Sequence, residues 1–138
     1  MIFSGRRVLV AVLLACAAGC RPHGVKPVDL YPEDICSTCR MAVSDERFAA
    51  EIIDDNGEVF KFDDVGCMLS FRTAHRECAA AGLFVKDYET RQWIPYERAV
   101  VIRAGLRSPM GSGIVAFADS SGARRFTRER SPGGSNGL

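Results

Sequence analysis

A continuous apolar run near the amino terminus is the strongest hydrophobic feature of the chain. Residues 8–15 are all apolar, follow the basic pair Arg6 and Arg7, and lead through small residues to Cys20. A helix that spans a bilayer needs roughly 20 apolar residues, and this run is much shorter. The pattern is typical of a secretory signal peptide, so we predict that residues 1–19 direct export and are then removed.

The residues around Cys20 indicate that the exported chain is lipidated. Ala17-Ala18-Gly19-Cys20 resembles the lipobox of bacterial lipoprotein signals, in which the cysteine is acylated and becomes the first mature residue. Acyl chains hold a protein to a membrane, since each buried methylene contributes about 0.8 kcal/mol. We therefore predict a periplasmic protein anchored through Cys20, with an ordinary secretion signal as the alternative. Arg21 is not the aspartate that commonly retains lipoproteins at the inner membrane, so the outer membrane is preferred.

Alternating apolar and polar positions predict a β-hairpin early in the mature chain. Two strand candidates, 48–53 and 58–62, flank the tripeptide Asp-Asn-Gly at 55–57. Asn-Gly tolerates positive φ at both central positions of a tight turn. Asp63 or Asp64 can then cap a helix.

The predicted helix runs to about Ala81, with Gly82 as its stop. Residues 83–88, 99–103 and 114–118 are further strand candidates, and a Ser-Ser-Gly turn leads back toward Phe126. Strands with one main helix predict an α+β fold with a small, mostly antiparallel sheet or sheets.

Composition divides the mature chain into three parts. Residues 20–33 are rich in proline, which is typical of a tether, residues 34–126 form the folded domain, and residues 127–138 form a disordered tail rich in Arg, Ser, Gly and Pro. The net charge is +1, without a basic patch of interleaved aromatics. This balance argues against a nucleic-acid partner.

Six cysteines become four after export. Cys16 leaves with the signal and Cys20 carries lipid. The remaining four are Cys36, Cys39, Cys67 and Cys78. Because the cell envelope is oxidising, two structural disulfides are one interpretation of these four residues.

Cys36, Cys39 and Met41 place two thiols and a thioether within six residues. A Cys-x-x-Cys turn can present both sulfurs to one metal ion, and soft sulfur ligands select Cu(I). Methionine is a poor ligand for Zn(II), which favours thiolate and imidazole. The alternatives are a disulfide, a redox pair, or half of a zinc knuckle with Met41 in the core. The redox interpretation lacks its usual place at a helix start, because this motif precedes a strand.

Cys67 and Met68 lie in the first turns of the predicted helix. A helix amino terminus favours thiolate, so Cys67 is either a metal ligand or a disulfide partner. Met68 shares a helix face with His75 and Cys78, a pattern typical of core residues. We interpret Cys78 as a small buried apolar residue, and neither His75 nor His23 as a ligand; transient completion of a site by His23 in the tether is the alternative.

Met110 lies in the segment Ser-Pro-Met-Gly-Ser-Gly at residues 108–113. Proline and glycine neighbours place this methionine outside a core and let its side chain reach another group. An incidental surface methionine in a turn is the alternative.

Taken together, these segments resemble the NosL family of accessory lipoproteins. The resembling stretches are residues 33–36, 39–41, 44–51, 62–68 and 108–113, together with the lipobox. Arg40 is a departure, because the family usually has glycine there in Cys-x-x-Cys-Gly-Met. Glycine allows positive φ at such a turn, so arginine is expected to alter the local geometry.

The resemblance implies a Cu(I) metallochaperone for the copper centres of nitrous oxide reductase. Its implied partners are that reductase and a membrane ABC-type maturation complex. The implied fold has two similar βα-type halves, related to the treble-clef-like domain of organomercurial lyase.

We predict that Cys36, Cys39, Met41 and Met110 supply the first ligands for Cu(I), with Cys67 and Met68 in reserve. An incompletely closed sulfur site suits a carrier, because an open position admits an incoming ligand. Asp63 is assigned a supporting or helix-capping role, and no residue is assigned a catalytic one. Two other hypotheses stay open: a disulfide-bonded structural lipoprotein, and an enzyme acting on thiols or organomercurials.

Overall fold

The computed structural model describes residues 24–131, so Cys20, His23 and the end of the predicted tail lie outside the described residues. In this part of the chain the elements are β1 (Ala50–Asp54), β2 (Val59–Phe62), α1 (Val65–Ala74), β3 (Ala80–Lys86), β4 (Trp93–Pro95), β5 (Val100–Arg103), β6 (Ile114–Phe117) and α2 (Ser120–Arg130). Strands β2-β1-β3-β4 form one antiparallel sheet, and β5-β6 form another. The predicted α+β class is therefore confirmed. No helix within residues 24–131 is long and apolar enough to cross a membrane.

The predicted hairpin forms, with Ile52 opposite Phe60, but its turn differs from the expectation. Within this turn, only Gly57 has a positive φ, of 84°. The Asp54 carboxylate accepts hydrogen bonds from the backbone N–H groups of Asn56 and Glu58, at 3.0 and 2.7 Å. These bonds stabilise a wider turn in which Asn56 keeps a negative φ.

Helix α1 ends at Ala74, earlier than the predicted Ala81. His75 closes it, donating its backbone N–H to the Phe71 carbonyl. The alanines that favoured a longer helix open β3 instead, which pairs with the central strand β1 from Ala80 onward. Pairing with the sheet outweighs the local helix propensity of alanine.

A second helix, α2, replaces the turn predicted at residues 120–122 and extends into the predicted disordered tail as far as Arg130. Asp119 caps it by accepting from the N–H groups of Ser121 and Gly122. Ala123 and Phe126 pack against Phe117 in a small second core. A hairpin followed by a helix thus occurs twice in the chain, as β1-β2-α1 and as β5-β6-α2. This repetition is in keeping with two similar halves.

The outer face of the four-stranded sheet is crossed by residues 25–34, which we call the strap. Val28 donates its backbone N–H to Glu51 at 2.9 Å, and the Lys61 ammonium donates to the Asp29 carbonyl and the Asp34 carboxylate, both at 2.7 Å. These residues were predicted to be a free tether. Their hydrogen bonds to β1 and β2 make them part of the folded domain.

Glu51 is the buried group on which the strap rests. It is 0% exposed, and its Oε2 has no hydrogen-bond partner among the described residues. Burial raises the pKa of this carboxyl, while the Val28 N–H and the Lys61 and Lys86 charges oppose that rise. An acid whose pKa is raised by folding binds its proton more tightly in the native state. The contribution of Glu51 to stability is therefore fully present below the ordinary glutamate pKa of about 4.3 and is lost as the pH rises through the raised value.

We predict that Glu51→Gln removes the loss of stability that Glu51 causes as the pH rises. The free energy of unfolding of the variant, relative to wild type, should rise between pH 4 and pH 7, measured by urea denaturation at several pH values. Glu58→Gln, at an exposed position of the same hairpin, is the control and should show no such trend. A variant whose relative stability instead falls over this pH range would contradict the assignment.

Candidate metal centre

Residues 36–41 form a tight turn, which we call the knuckle, between the strap and β1. Cys36 donates its N–H to the Met41 carbonyl at 2.8 Å, and Arg40 donates its N–H to the Cys36 carbonyl at 3.0 Å. The Cys39 N–H points at the Cys36 sulfur, 3.5 Å away. An N–H donor directed at sulfur stabilises negative charge there, as a metal-bound thiolate requires.

Arg40 takes the left-handed conformation that glycine would favour, with a φ of 66°. Arginine therefore adopts at this position the backbone conformation that glycine would favour. The cost is local, because a residue with a Cβ loses about 1–2 kcal/mol in this conformation.

Three thiols and one carboxylate meet beneath the knuckle. Ligand atoms of Cys36, Cys39, Asp63 and Cys67 all lie within 4.8 Å of one another. The Cys39 sulfur is 3.5 Å from both carboxylate oxygens of Asp63. We call these four residues the thiol cluster.

The thiol cluster is assembled from three parts of the fold. The knuckle supplies two cysteines, the junction between β2 and α1 supplies Asp63, and the first turn of α1 supplies Cys67. Two hydrogen bonds fix the knuckle to the other parts: the Thr38 hydroxyl donates to the Cys67 carbonyl at 2.9 Å, and the Ser37 N–H donates to the Lys61 carbonyl at 2.8 Å.

Asp63 is a candidate donor that the sequence analysis placed in a supporting role only. The signal was present in the pair Asp63-Asp64, since a helix needs only one capping side chain. The structure gives the cap to Asp64, and Asp63 faces the thiols.

Two thiols of the cluster, those of Cys39 and Cys67, have a pKa above that of an ordinary cysteine. Burial raises the pKa of Cys67, and negative charge at Cys36 and Asp63 raises it further. Burial also raises the pKa of Cys39. The expectation that the helix amino terminus favours a Cys67 thiolate is therefore wrong for this environment, because desolvation outweighs it. A bound cation would reverse this balance and release protons.

Asp64 joins the helix to the loop that carries Met110. This carboxylate is 0% exposed. It accepts hydrogen bonds from the Gly66 N–H at 2.7 Å, the Ser108 hydroxyl at 2.6 Å, the Met110 N–H at 3.1 Å and the Ser112 hydroxyl. Burial acts to raise the pKa of Asp64, but the hydrogen bonds from Ser108 and Ser112 outweigh it and lower the pKa.

Gly66 allows the loop to come this close. A Cβ at Gly66 would lie 2.6 Å from the Cβ of Ser112. As a result Met110, Cys39 and Cys67 line one open cleft of about 450 Å³. The structure thus brings these three predicted residues together, and their role as ligands stays a prediction.

The remaining predicted residues occupy different places. Met41 is 54% exposed on the knuckle, and Met110 is 46% exposed at the cleft. Met68 is 0% exposed within the main core, which also contains Cys36 and Cys67, and it does not line the cleft. Its reserve role stays a prediction.

Cys78 and His75 lie beyond the other end of α1. The rest of α1, from Met68 to Ala74, separates Cys67 from this end, and a helical segment of that length spans about 10 Å. Two disulfides would have to pair Cys78 with a cysteine of the thiol cluster, which this separation opposes. The His75 ring stacks on Phe71 at 4.3 Å, as expected for a structural residue.

Comparison with known proteins agrees with this geometry. The family model of NosL matches residues 27–135. The chain belongs to the NosL family. The crystal structure of the copper chaperone NosL from Shewanella denitrificans is similar, with a TM-score of 0.65 and 17% identity, over 75% of this chain and 87% of that chain. No curated protein matches the chain.

Family membership confirms the resemblance inferred from the motifs. NosL is not a family of enzymes, so the expectation that this chain is not an enzyme is also confirmed. At 17% identity, the likeness to the Shewanella NosL structure shows a shared fold.

We predict that Arg40→Gly stabilises this NosL protein. Relief of the left-handed conformation exceeds the greater flexibility of glycine, so the free energy of unfolding should rise by about 1 kcal/mol or less in urea denaturation. Arg91→Gly is a matched control, because Arg91 also has a positive φ, of 60°, outside the knuckle. A loss of stability in the Arg40 variant alone would mean that the guanidinium contributes an interaction to the knuckle.

We predict that Asp64→Asn destabilises the protein by about 1–3 kcal/mol, since an amide replaces a charged acceptor of four hydrogen bonds. Asp119→Asn should cost only a few tenths of a kcal/mol, because asparagine caps helices about as well as aspartate. Thermal unfolding of both variants tests the difference. Equal losses would show that capping, and not loop attachment, is the role of Asp64.

Proposed function

We propose that this NosL protein is a periplasmic, lipid-anchored carrier of Cu(I) that supplies copper for assembly of nitrous oxide reductase. The observation that carries the proposal is the convergence of thiols and the Met110 thioether on one open cleft. Soft sulfur donors favour Cu(I) over the harder divalent ions. Copper is the cargo in this proposal, and the chain performs no chemistry on it.

The proposed donors differ in how far they are exposed to solvent, and this difference suits a carrier. Cys36 and Cys67 are 0% and 5% exposed, Cys39 is half-buried, and Met41 and Met110 are about half exposed. Buried thiols protect Cu(I) from solvent. Exposed thioethers bind it more weakly where a recipient can approach, so transfer can proceed by stepwise exchange of ligands.

The presence of Asp63 in the thiol cluster raises the competing possibility of a zinc site. Three thiols and a carboxylate also suit a closed, tetrahedral Zn(II) site, which would be structural. The position of Met110 at the same cleft favours copper, because a zinc site gains nothing from a thioether.

The sequence supports the proposed location and partners of the protein. Cys20, within its lipobox, is the proposed site of lipidation, and the outer membrane is preferred. The proposed partners are the reductase and a membrane ABC-type maturation complex. Mass spectrometry of membrane-extracted protein should find acyl chains on Cys20, and Cys20→Ala should release the protein from the membrane.

We predict that the protein binds one Cu(I) per chain under anaerobic, reducing conditions, in competition with a chromogenic Cu(I) chelator. Cys39→Ser and Cys67→Ser should each weaken binding strongly. Met110→Leu should weaken it at least about tenfold, or ~1.4 kcal/mol, by removing a sulfur donor of similar volume.

Met68→Leu is the matched control for Met110→Leu, because it makes the same substitution in the core. It should leave the affinity for Cu(I) unchanged. A different result would overturn the copper proposal in favour of a structural zinc site: binding of one Zn(II) per chain that Cu(I) does not displace and that Met110→Leu does not weaken.

A further inference from the structure

Helix α2 carries a local excess of positive charge that the net charge of the whole chain does not reveal. Its last seven positions hold four exposed arginines and one glutamate, although the chain carries a net charge of only +1. The arginines are Arg124, Arg125, Arg128 and Arg130. This helix is the second one, which the sequence pattern did not predict.

Two of these arginines are engaged within the protein and two are available. Arg125 pairs with Glu89, and the Arg130 guanidinium lies 5.3 Å from the centre of the Phe126 ring. Among the described residues, neither Arg124 nor Arg128 has a carboxylate within 4.0 Å. They are four positions apart and therefore share one face of the helix.

Arg124 and Arg128 border a shallow groove of about 780 Å³ between α2 and β5. Val100, Ile102 and Ala123 contribute its apolar surface, and serine and threonine hydroxyls lie along α2. The groove therefore combines guanidinium groups, which bind phosphate in a bidentate manner, with apolar surface suited to the first methylenes of a lipid.

The strap keeps the domain near a bilayer. This step rests on the proposed lipidation of Cys20. Residues 25–34 are held on the sheet, so only residues 20–24 separate the acyl chains from the docked part of the chain. Five extended residues reach at most about 18 Å. A lipid surface is thus always within short reach of the domain.

We propose that α2 seats the domain on anionic phospholipid, with Arg124 and Arg128 binding headgroup phosphates. The alternation of β5 then sets the orientation of the copper cleft. Val100 and Ile102 line the lipid groove, whereas Arg103, next along the strand, lines the cleft that holds Met110. Successive side chains of a strand point to opposite faces, so lipid binding at α2 directs the copper cleft away from the membrane.

Vesicle co-sedimentation tests the proposal, using the chain from Arg21 to Leu138, which contains every described residue but no lipidation site. Vesicles of phosphatidylcholine with 30% phosphatidylglycerol are compared with phosphatidylcholine alone, at low and high salt. Wild type should bind only the anionic vesicles, and 0.5 M salt should abolish binding. The double variant Arg124→Gln/Arg128→Gln should bind about 25-fold more weakly, or about fivefold for each arginine.

Arg72→Gln/Arg76→Gln is the control, since it removes the same charge from exposed positions near the far end of α1. Its vesicle binding should stay within about twofold of wild type. Equal losses in the two double variants, or no preference for anionic vesicles, would overturn the proposal. Binding to polyglutamate without binding to vesicles would overturn it too and indicate an acidic protein as the occupant. Cu(I) affinity, measured in parallel, should not change in either variant, so failure of the copper proposal would be seen separately.

Discussion

The hydrogen bonds of the Asp64 carboxylate determine where the proposed copper ligands lie relative to one another. Cys67 and Met110 are far apart in sequence, and no strand pairing joins the Ser108–Gly113 loop to α1. Asp64 supplies the connection, because one buried carboxylate accepts from the helix through Gly66 and from the loop through Ser108, Met110 and Ser112. A charged acceptor satisfied by several donors is stable when buried, whereas the same charge without them would be costly. One wall of the cleft is rigid for this reason.

Asp63 and Asp64 show how neighbouring, identical side chains acquire different chemistry. Both are buried at the junction of β2 and α1. Asp64 points at hydrogen-bond donors, which lower its pKa, whereas Asp63 faces the thiols of Cys39 and Cys67. The same junction therefore contributes a structural anion through Asp64 and a candidate metal donor through Asp63.

The sequence predicted the parts of the fold that depend on local signals. The first hairpin, the start of α1, the Cys-x-x-Cys turn and an exposed Met110 all follow from turn residues, caps and spacing. Features set by distant contacts were missed: the early end of α1 depends on β3 pairing with β1, and the strap depends on the buried Glu51. Helix α2 was missed because Ser-Ser-Gly after Asp119 serves as a capped first turn once Phe126 has a core to enter. The burial of Met68 was also not foreseen, since spacing alone does not separate a core thioether from a ligand.

The two walls of the cleft are held by interactions of different strength, and this asymmetry bears on how a metal leaves. The wall with Cys67 and Met110 is fixed by a charged, fully buried acceptor. The knuckle wall is fixed by two neutral hydrogen bonds, from Thr38 and Ser37, and by the weak donor Cys39 Sγ–H, 3.5 Å from the Asp63 carboxylate, and it contains a residue in a strained left-handed conformation. Neutral hydrogen bonds contribute about half as much as charged ones, and a thiol is a weak donor, so we expect the knuckle to be the wall that yields first. Because the knuckle also carries exposed Met41, a recipient that displaces it would meet the proposed thioether ligands before it reached the buried thiols.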